Sequence, residues 1–421
     1  MRRQAVMLER TSPMKKRPLD GVLAELDRQH LTRRRTTIDG FAEPGSRLVT
    51  TVGGRTLIDF SSNDYLGLAH HPAVAAAMSE CASRTGAGSG ASHLVTGHGF
   101  EHERLEEELA AFTGRERALL FSTGYMANLG VMAALADRGE LVLLDRLSHA
   151  SIIDGTLLSG ARFKRYAHAD ADAADRILND NPDESVLVAT DGVFSMDGDI
   201  APLARLAKAA RSHNAWLVVD DAHGIGVLGE RGRGATEELS SEDVPVLVGT
   251  LGKAFGSFGA FVAGSRELIE FLIQKARSYI YTTALPQPVA AASRKALEIS
   301  QRESWRRERV LALTARFRKA AREARLPLMD SNTPIQPILI GSSASALQAQ
   351  AELLSAGFRV VAIRAPTVAK GSERLRVTLS AAHTEEQVDA LVASLAHSLP
   401  VPGPRLVNSR VQTNGWVLPN E

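Results

Sequence analysis

Cysteine is almost absent from this 421-residue chain. The single one, Cys81, excludes an intrachain disulfide and fits a reducing compartment such as the cytoplasm. No activating group stands beside it, so it reads as a small packing residue rather than a nucleophile. Net charge is nearly absent too. Forty-nine Lys and Arg against 48 Asp and Glu leave +1, so no global field draws the chain to nucleic acid or to a membrane surface. No apolar run approaches the roughly 20 residues of a membrane helix. The basic start, Met1 to Lys16, lacks the apolar stretch of a secretory signal. Residues 1–18 read as a disordered extension and the aperiodic segment 400–421 as a frayed tail. There is no internal repeat and no phosphate-binding loop of the G-x-x-x-x-G-K type, and no helix-turn-helix-like segment or basic module precedes the core.

What is present is apolar residue in quantity, 44%, enough for a large core. After a helical spacing at Leu19, Val22, Leu23 and Leu26 comes the basic cluster Arg33–Arg35. Two alternating runs broken by Gly53-Gly54 then read as a hairpin. Phe60–Leu68 is irregular and polar-aromatic, a candidate site loop. Gly86–Gly99 is glycine-dense, which lets backbone approach a ligand. Phe100–Thr113 reads as a helix with Leu105, Leu109 and Phe112 on one side and glutamates on the other, ended by Gly114. His98 and His102 stand one turn apart, but no third ligand is evident in the sequence, so they read as structural and no metal is expected.

From Ala118 onward strand and helix signals alternate. Strands are expected at 118–122, 141–145, 163–167, 186–190, 216–221, 246–251 and 260–263. Such alternation predicts an α/β protein with a mostly parallel seven-stranded sheet flanked by helices. A second, smaller α/β unit is expected C-terminal to it: helix 304–325, strand 335–340, helix 345–356, strands 359–363 and 374–380, and helix 385–399 with a Thr384/Gln387 capping box. The expected divisions are an N-terminal helix-and-hairpin arm (19–60), a large domain (61–290) and a small one (291–399).

In sheets of this kind ligands sit beyond the carboxyl ends of the strands. There the chain places Gly124 and Tyr125 at a helix start suited to phosphate, then His149, Ser195 and the run Asp220-Asp221-Ala222-His223. Period two sends Asp220 and Asp221 to opposite faces. Beyond the sixth strand, Lys253 stands among small residues. Burying an ammonium is costly and lowers its pKa, which makes a nucleophile and a base; a lysine on a glycine-rich loop pointing at water is the plain alternative. The run Gly224–Gly229 fits G-x-G-x-x-G, but two aspartates precede it and no helix follows, so it is not a dinucleotide site.

The motifs Asp220-x-x-His223-Gly224 and Thr250-Leu251-Gly252-Lys253 resemble the α-oxoamine synthases, fold-type I enzymes dependent on pyridoxal 5'-phosphate (PLP) with the aspartate-aminotransferase fold. The segments 60–68, 88–92, 145–151, 192–199 and 363–368 resemble most the member acting in biotin biosynthesis. That resemblance implies a homodimeric acyltransferase condensing L-alanine with a pimeloyl thioester, carried by coenzyme A or an acyl carrier protein. It implies Lys253 as the Schiff-base lysine, Asp220 on the pyridine nitrogen and His223 and Ser195 at the ring's oxygen substituent. It further implies His149 stacked on the ring as catalytic acid, with Gly124, Tyr125 and Thr250 holding the cofactor. Arg364 would bind the amino-acid carboxylate, with Arg33, Asn63 and Thr367 lining the substrate side. Tyr281–Thr283 would reach a neighbouring subunit's phosphate. A relative using glycine or another acyl thioester, of the aminoketobutyrate ligase type, is the nearest alternative; a non-catalytic PLP-binding regulator is the other.

Overall fold

The computed structural model describes residues 19–41, 48–182 and 186–399; the expected N-terminal extension and C-terminal tail lie outside them. By contacts the chain divides into Met1–Thr36 and Thr37–Glu421. In the first unit, α1 (Leu19–Arg28) forms where helical spacing predicts it, with Leu19, Val22 and Leu23 exposed.

The second unit begins with strands β1 (Gly40–Phe41), β2 (Val49–Val52) and β3 (Arg55–Asp59). The β2–β3 hairpin turns on Gly53 and Gly54, both at positive φ, which a side chain would resist. Helices α2 (Pro72–Thr85), α3 (Phe100–Thr113), α4 (Gly124–Leu135) and α5 (Ala150–Ser159) follow. They accompany the large sheet, made of β4 (Arg117–Phe121), β5 (Leu141–Asp145), β6 (Arg162–Tyr166), β7 (Val186–Asp191), β8 (Trp216–Asp220), β9 (Val246–Thr250) and β10 (Ala260–Gly264). Its order is β4-β10-β9-β8-β7-β5-β6, and β10 alone runs antiparallel to its neighbours. The seven expected strands are these, each within a residue or so.

Period-two alternation distributes the core. Leu119, Phe121, Val142, Leu144, Val218 and Val248 face one apolar cluster, together with Val131, Ile152 and Leu272 from helices. Leu141, Leu143, Val188, Leu217 and Val219 face another, under helices 171–179 and 203–212. Burying one such side chain is worth about 1.5–3 kcal/mol, and a strand with both faces covered must be apolar throughout, as these are.

Toward the C-terminus stand β11 (Ile335–Leu339), β12 (Phe358–Arg359), β13 (Val361–Ile363) and β14 (Arg374–Thr378). The expected single strand 359–363 is two. The β12 piece pairs with β3 and the β13 piece with β14, in different sheets. Every amide of such a run needs an acceptor, and here two sheets supply them. Helix Glu385–Ser398 carries the expected capping box, Thr384 accepting the Gln387 amide. On α3 the expected amphipathic division fails at Glu106. It is 7% exposed, accepts the Leu120 amide at 2.9 Å, and burial pushes its carboxyl up to about 8.

Candidate active site

The carboxyl ends of β9, β8, β7 and β5 lie in a row, ending in Thr250, Asp220, Asp191 and Asp145, all buried. Register sets Asp191 directly opposite Asp220. Burial, and then the Asp220 charge, push the Asp191 pKa well above the carboxylate range; its carboxyl accepts the His149 amide at 2.9 Å.

Asp220 differs. Its Oδ1 accepts the Ala222 amide at 3.0 Å and its Oδ2 the Asn128 side-chain amide at 2.6 Å. No ion pair to it occurs among the described residues. A buried carboxylate held by neutral donors alone suits a cationic N–H partner. Asp221 turns the other way, as the alternation predicts. Its Oδ2 accepts the Ala235 amide at 2.7 Å, and the α-carbons of Gly192, Gly224 and Gly234 crowd so close to it that a Cβ on any of them would collide. Burial raises its pKa well above the usual range. The Gly224–Gly229 run is therefore packing around Asp221 and the following turns, with no helix after it.

Lys253 sits in the turn three residues beyond β9, half-buried. Burial pulls its ammonium below the usual lysine range. Asp220, Asp191 and Asp221 oppose that shift and Arg376 reinforces it, so these groups are electrostatic neighbours. A Cβ at Gly124 would lie 2.9 Å from the Thr250 methyl, so the start of α4 and the end of β9 meet. Thr123 caps α4 through the Met126 amide, leaving the preceding amides of Gly124 and Tyr125 for an anion. The Tyr125 hydroxyl bonds Asp154. His223 is buried, and burial drives its pKa well below the usual value. Its Nδ1 is 2.6 Å from the Tyr65 hydroxyl, so only Nε2 is left for a ligand. These features fit PLP: an amine, a buried carboxylate lacking a cation, and an amide cradle for phosphate.

On the opposite side Arg376, in β14, donates from Nε to the Ser195 carbonyl at 2.6 Å and from Nη1 to Asn63 Oδ1 at 3.1 Å. Thr367, His149 and Ser195 line a shared cavity of about 280 Å³ with Met196 and Val368. Arg364 opens the Thr367 turn, its carbonyl accepting the Thr367 amide at 3.0 Å. Arg33 belongs to the first unit, exposed in irregular backbone after α1.

Sequence reasoning missed Asn128, Tyr65 and Arg376. Asn128 lies one helical turn after Gly124, a spacing that puts both on one face. An arginine alternating with apolar residues in β14 was a legible signal for Arg376. One expectation needs correction. A third ligand-type residue does stand by His98 and His102: His93 Nδ1 lies 2.9 Å from His98 Nδ1. His102, however, spends Nδ1 on the Gly99 amide and Nε2 on the Leu285 carbonyl, so the cluster is knit into the backbone. At Gly97 and Gly99 the close approach is to Ala91 and Gln287, whereas a Cβ on Gly86, Gly88 or Gly90 would meet open space.

Comparison with known proteins agrees with this geometry. The aminotransferase class I and II family matches residues 55–395. An 8-amino-7-oxononanoate synthase of Methylococcus capsulatus is 56% identical over 380 residues, covering 90% of this chain and 97% of the relative. One from Thioalkalivibrio sulfidiphilus is 58% identical over 372 residues, covering 88% and 94%. Among solved structures, serine palmitoyltransferase from S. paucimobilis with a bound PLP–myriocin aldimine superposes with TM-score 0.85 at 29% identity, covering 90% and 96%. An 8-amino-7-oxononanoate synthase from Francisella tularensis gives 0.71 at 32%, covering 81% and 97%. The chain belongs to the aminotransferase class I and II family and, within it, to the PLP-dependent 8-amino-7-oxononanoate synthases.

Proposed function

We propose that this enzyme condenses L-alanine with a pimeloyl thioester, borne by coenzyme A or an acyl carrier protein, releasing carbon dioxide, the free thiol and 8-amino-7-oxononanoate. The observation that carries the reading is the meeting of Lys253, an amine of lowered pKa, with the buried Asp220 carboxylate at neighbouring strand ends. When bound, PLP supplies a carbonyl that captures amines and a ring that withdraws electrons from the α-carbon. Lys253 holds that cofactor covalently and, once displaced by alanine, its Nζ takes the α-proton. Asp220 keeps the ring nitrogen protonated. The amides of Gly124 and Tyr125 and the Thr250 hydroxyl bind the phosphate, and Ser195 and His223 bind the ring oxygen. Arg364 takes the alanine carboxylate by a two-pronged contact. Asn63 and Thr367 line the substrate side, and His149 faces the thioester carbonyl.

The working unit is a homodimer in which Tyr281–Thr283 reach the neighbour's phosphate. Support comes from exposed apolar side chains in one stretch of surface: Val95, Phe100 and Tyr281 are 72%, 65% and 70% exposed, and a Ser92–Thr283 bridge joins their segments. A fully active monomer by light scattering would refute this.

The substrate test is a spectroscopic titration of the cofactor with alanine, glycine and serine, followed by kinetics with coenzyme A and carrier-protein thioesters. Alanine is expected to perturb the spectrum and to be consumed. Binding of glycine without alanine would replace this reading with that of a glycine-using relative.

A further inference from the structure

We propose that His149 acts as a neutral hydrogen-bond donor with its proton fixed on Nε2, and that Ser151 and Asn128 are positioning residues that hold it so and tie it to Asp220. What the donor meets rests on the function proposed above; the position of the proton does not.

His149 is the N-cap of α5, and its Nδ1 accepts the Ser151 backbone amide at 3.3 Å. A backbone amide only donates, so Nδ1 must present a lone pair. The Ser151 hydroxyl lies 2.7 Å from the same Nδ1. That hydroxyl accepts the Asn128 Nδ2 at 2.9 Å, so its own hydrogen is left for His149. The second Nδ2 hydrogen goes to Asp220 Oδ2 at 2.6 Å. Turning the Asn128 amide over would set its oxygen against a carboxylate, so its orientation is fixed. Ser151 and Asn128 are 0% and 1% exposed, so the relay Asp220–Asn128–Ser151–His149 is packed in place.

A second proton on the ring would sit on Nδ1, facing the Ser151 amide hydrogen, and would break the cap of α5. The surrounding charges are mixed. Desolvation and Lys253 lower the His149 pKa, while Asp220 and Asp154 raise it; burial drives the His223 pKa down, and Asp191 is engaged with the His149 backbone amide. The net direction is down, in accord with the cap. The free Nε2–H belongs to a side chain lining the cavity that Thr367 and Ser195 share, where an acyl carbonyl oxygen gains negative charge as it is attacked. A fixed N–H stabilises such an oxygen without surrendering its proton, as a neutral imidazole does in other enzymes.

The test joins ¹⁵N NMR of histidine-labelled holoenzyme to kinetics. The chain has 12 histidines, and the resonance lost in His149→Gln identifies the one in question. The expected spectrum is that of a neutral Nε2–H tautomer from pH 6 to 9, shifted in Ser151→Ala and Asn128→Ala. A proton on Nδ1, or an imidazolium at neutral pH, overturns the assignment. An unchanged His149 signal in both Ser151→Ala and Asn128→Ala overturns the positioning roles. A glutamine amide places an N–H near the Nε2 position. His149→Gln should therefore retain kcat within about tenfold, while His149→Ala loses about 100- to 1,000-fold. Equal losses in the two variants overturn the donor role. If the tautomer is found as assigned but alanine and the pimeloyl thioester are not condensed, the substrate reading fails and the relay stands.

Discussion

The two walls of the site are built differently. One is the row of strand ends Asp145, Asp191, Asp220 and Thr250, none more than 8% exposed. The other is the turn Arg364–Val368 beside the three-stranded sheet, where Pro366 and Thr367 are exposed. A charge at a buried strand end survives only if every neighbour is arranged for it, so that wall fixes the chemistry. A turn in contact with solvent can change side chains at little cost, so that wall suits substrate choice. Arg376 spans the seam, holding the Ser195 carbonyl with one nitrogen and Asn63 with another.

The comparison is broken most severely by Lys253→Ala. Turnover should fall by about 10³-fold or more, and the visible absorbance of covalently held cofactor should vanish; intact turnover would end the assignment. A finer cut separates adjacent carboxylates. Asp220→Asn should lower kcat by about two orders of magnitude with little change in unfolding midpoint. Asp221→Asn should do the opposite, leaving kcat within a few-fold and costing about 1 kcal/mol of stability, because this side chain is packed against the Ala235 amide and three glycines and only hydrogen bonds change. Gly234→Ala tests the packing behind this wall. At φ +94°, and with a Cβ 1.9 Å from Asp221 Oδ2, it should cost about 2–3 kcal/mol in urea unfolding.

Glu106, packed against the edge strand β4, sets a pH dependence. Its folded-state pKa, about 8 from burial, exceeds the unfolded value, 4.5, so the folded chain binds the proton more tightly between them. Its stabilising contribution is whole below pH 4.5 and is lost as pH rises toward 8. Glu106→Gln should therefore match the parent near pH 4.5 and exceed it by roughly 3–5 kcal/mol at pH 9, measured by denaturant titration at both values. The smallest effect belongs to the turn. Thr367→Ala should raise the thioester KM by roughly fivefold with kcat nearly unchanged, the mark of uniform binding. A large fall in kcat there would erase the distinction between the walls.

Much of this was legible in the chain. The inner strands could be read because strands buried on both faces must be apolar for their whole length, and their ends are marked where polar residues begin; the edge strand Arg162–Tyr166 is charged and partly exposed. Asp220 and Asp221 could be assigned to opposite faces by alternation alone. The hairpin glycines and the Thr384 cap are local chemistry, complete within a few residues. The split of 358–363 between two sheets was not legible, because both halves have strand composition and only their partners differ. Nor was the burial of Glu101 and Glu106, on a helix whose Glu103 and Glu107 face water.

By itself the sequence determined which groups were available to do chemistry, since burial of a lysine and an aspartate at strand ends is written in the residues beside them. Only the tertiary structure decided how those groups are tuned. Asn128 on α4, His149 and Ser151 at the start of α5, and Asp220 at the end of β8 are far apart in sequence, and a hydrogen bond reaches about 3 Å in space with no regard for distance along the chain.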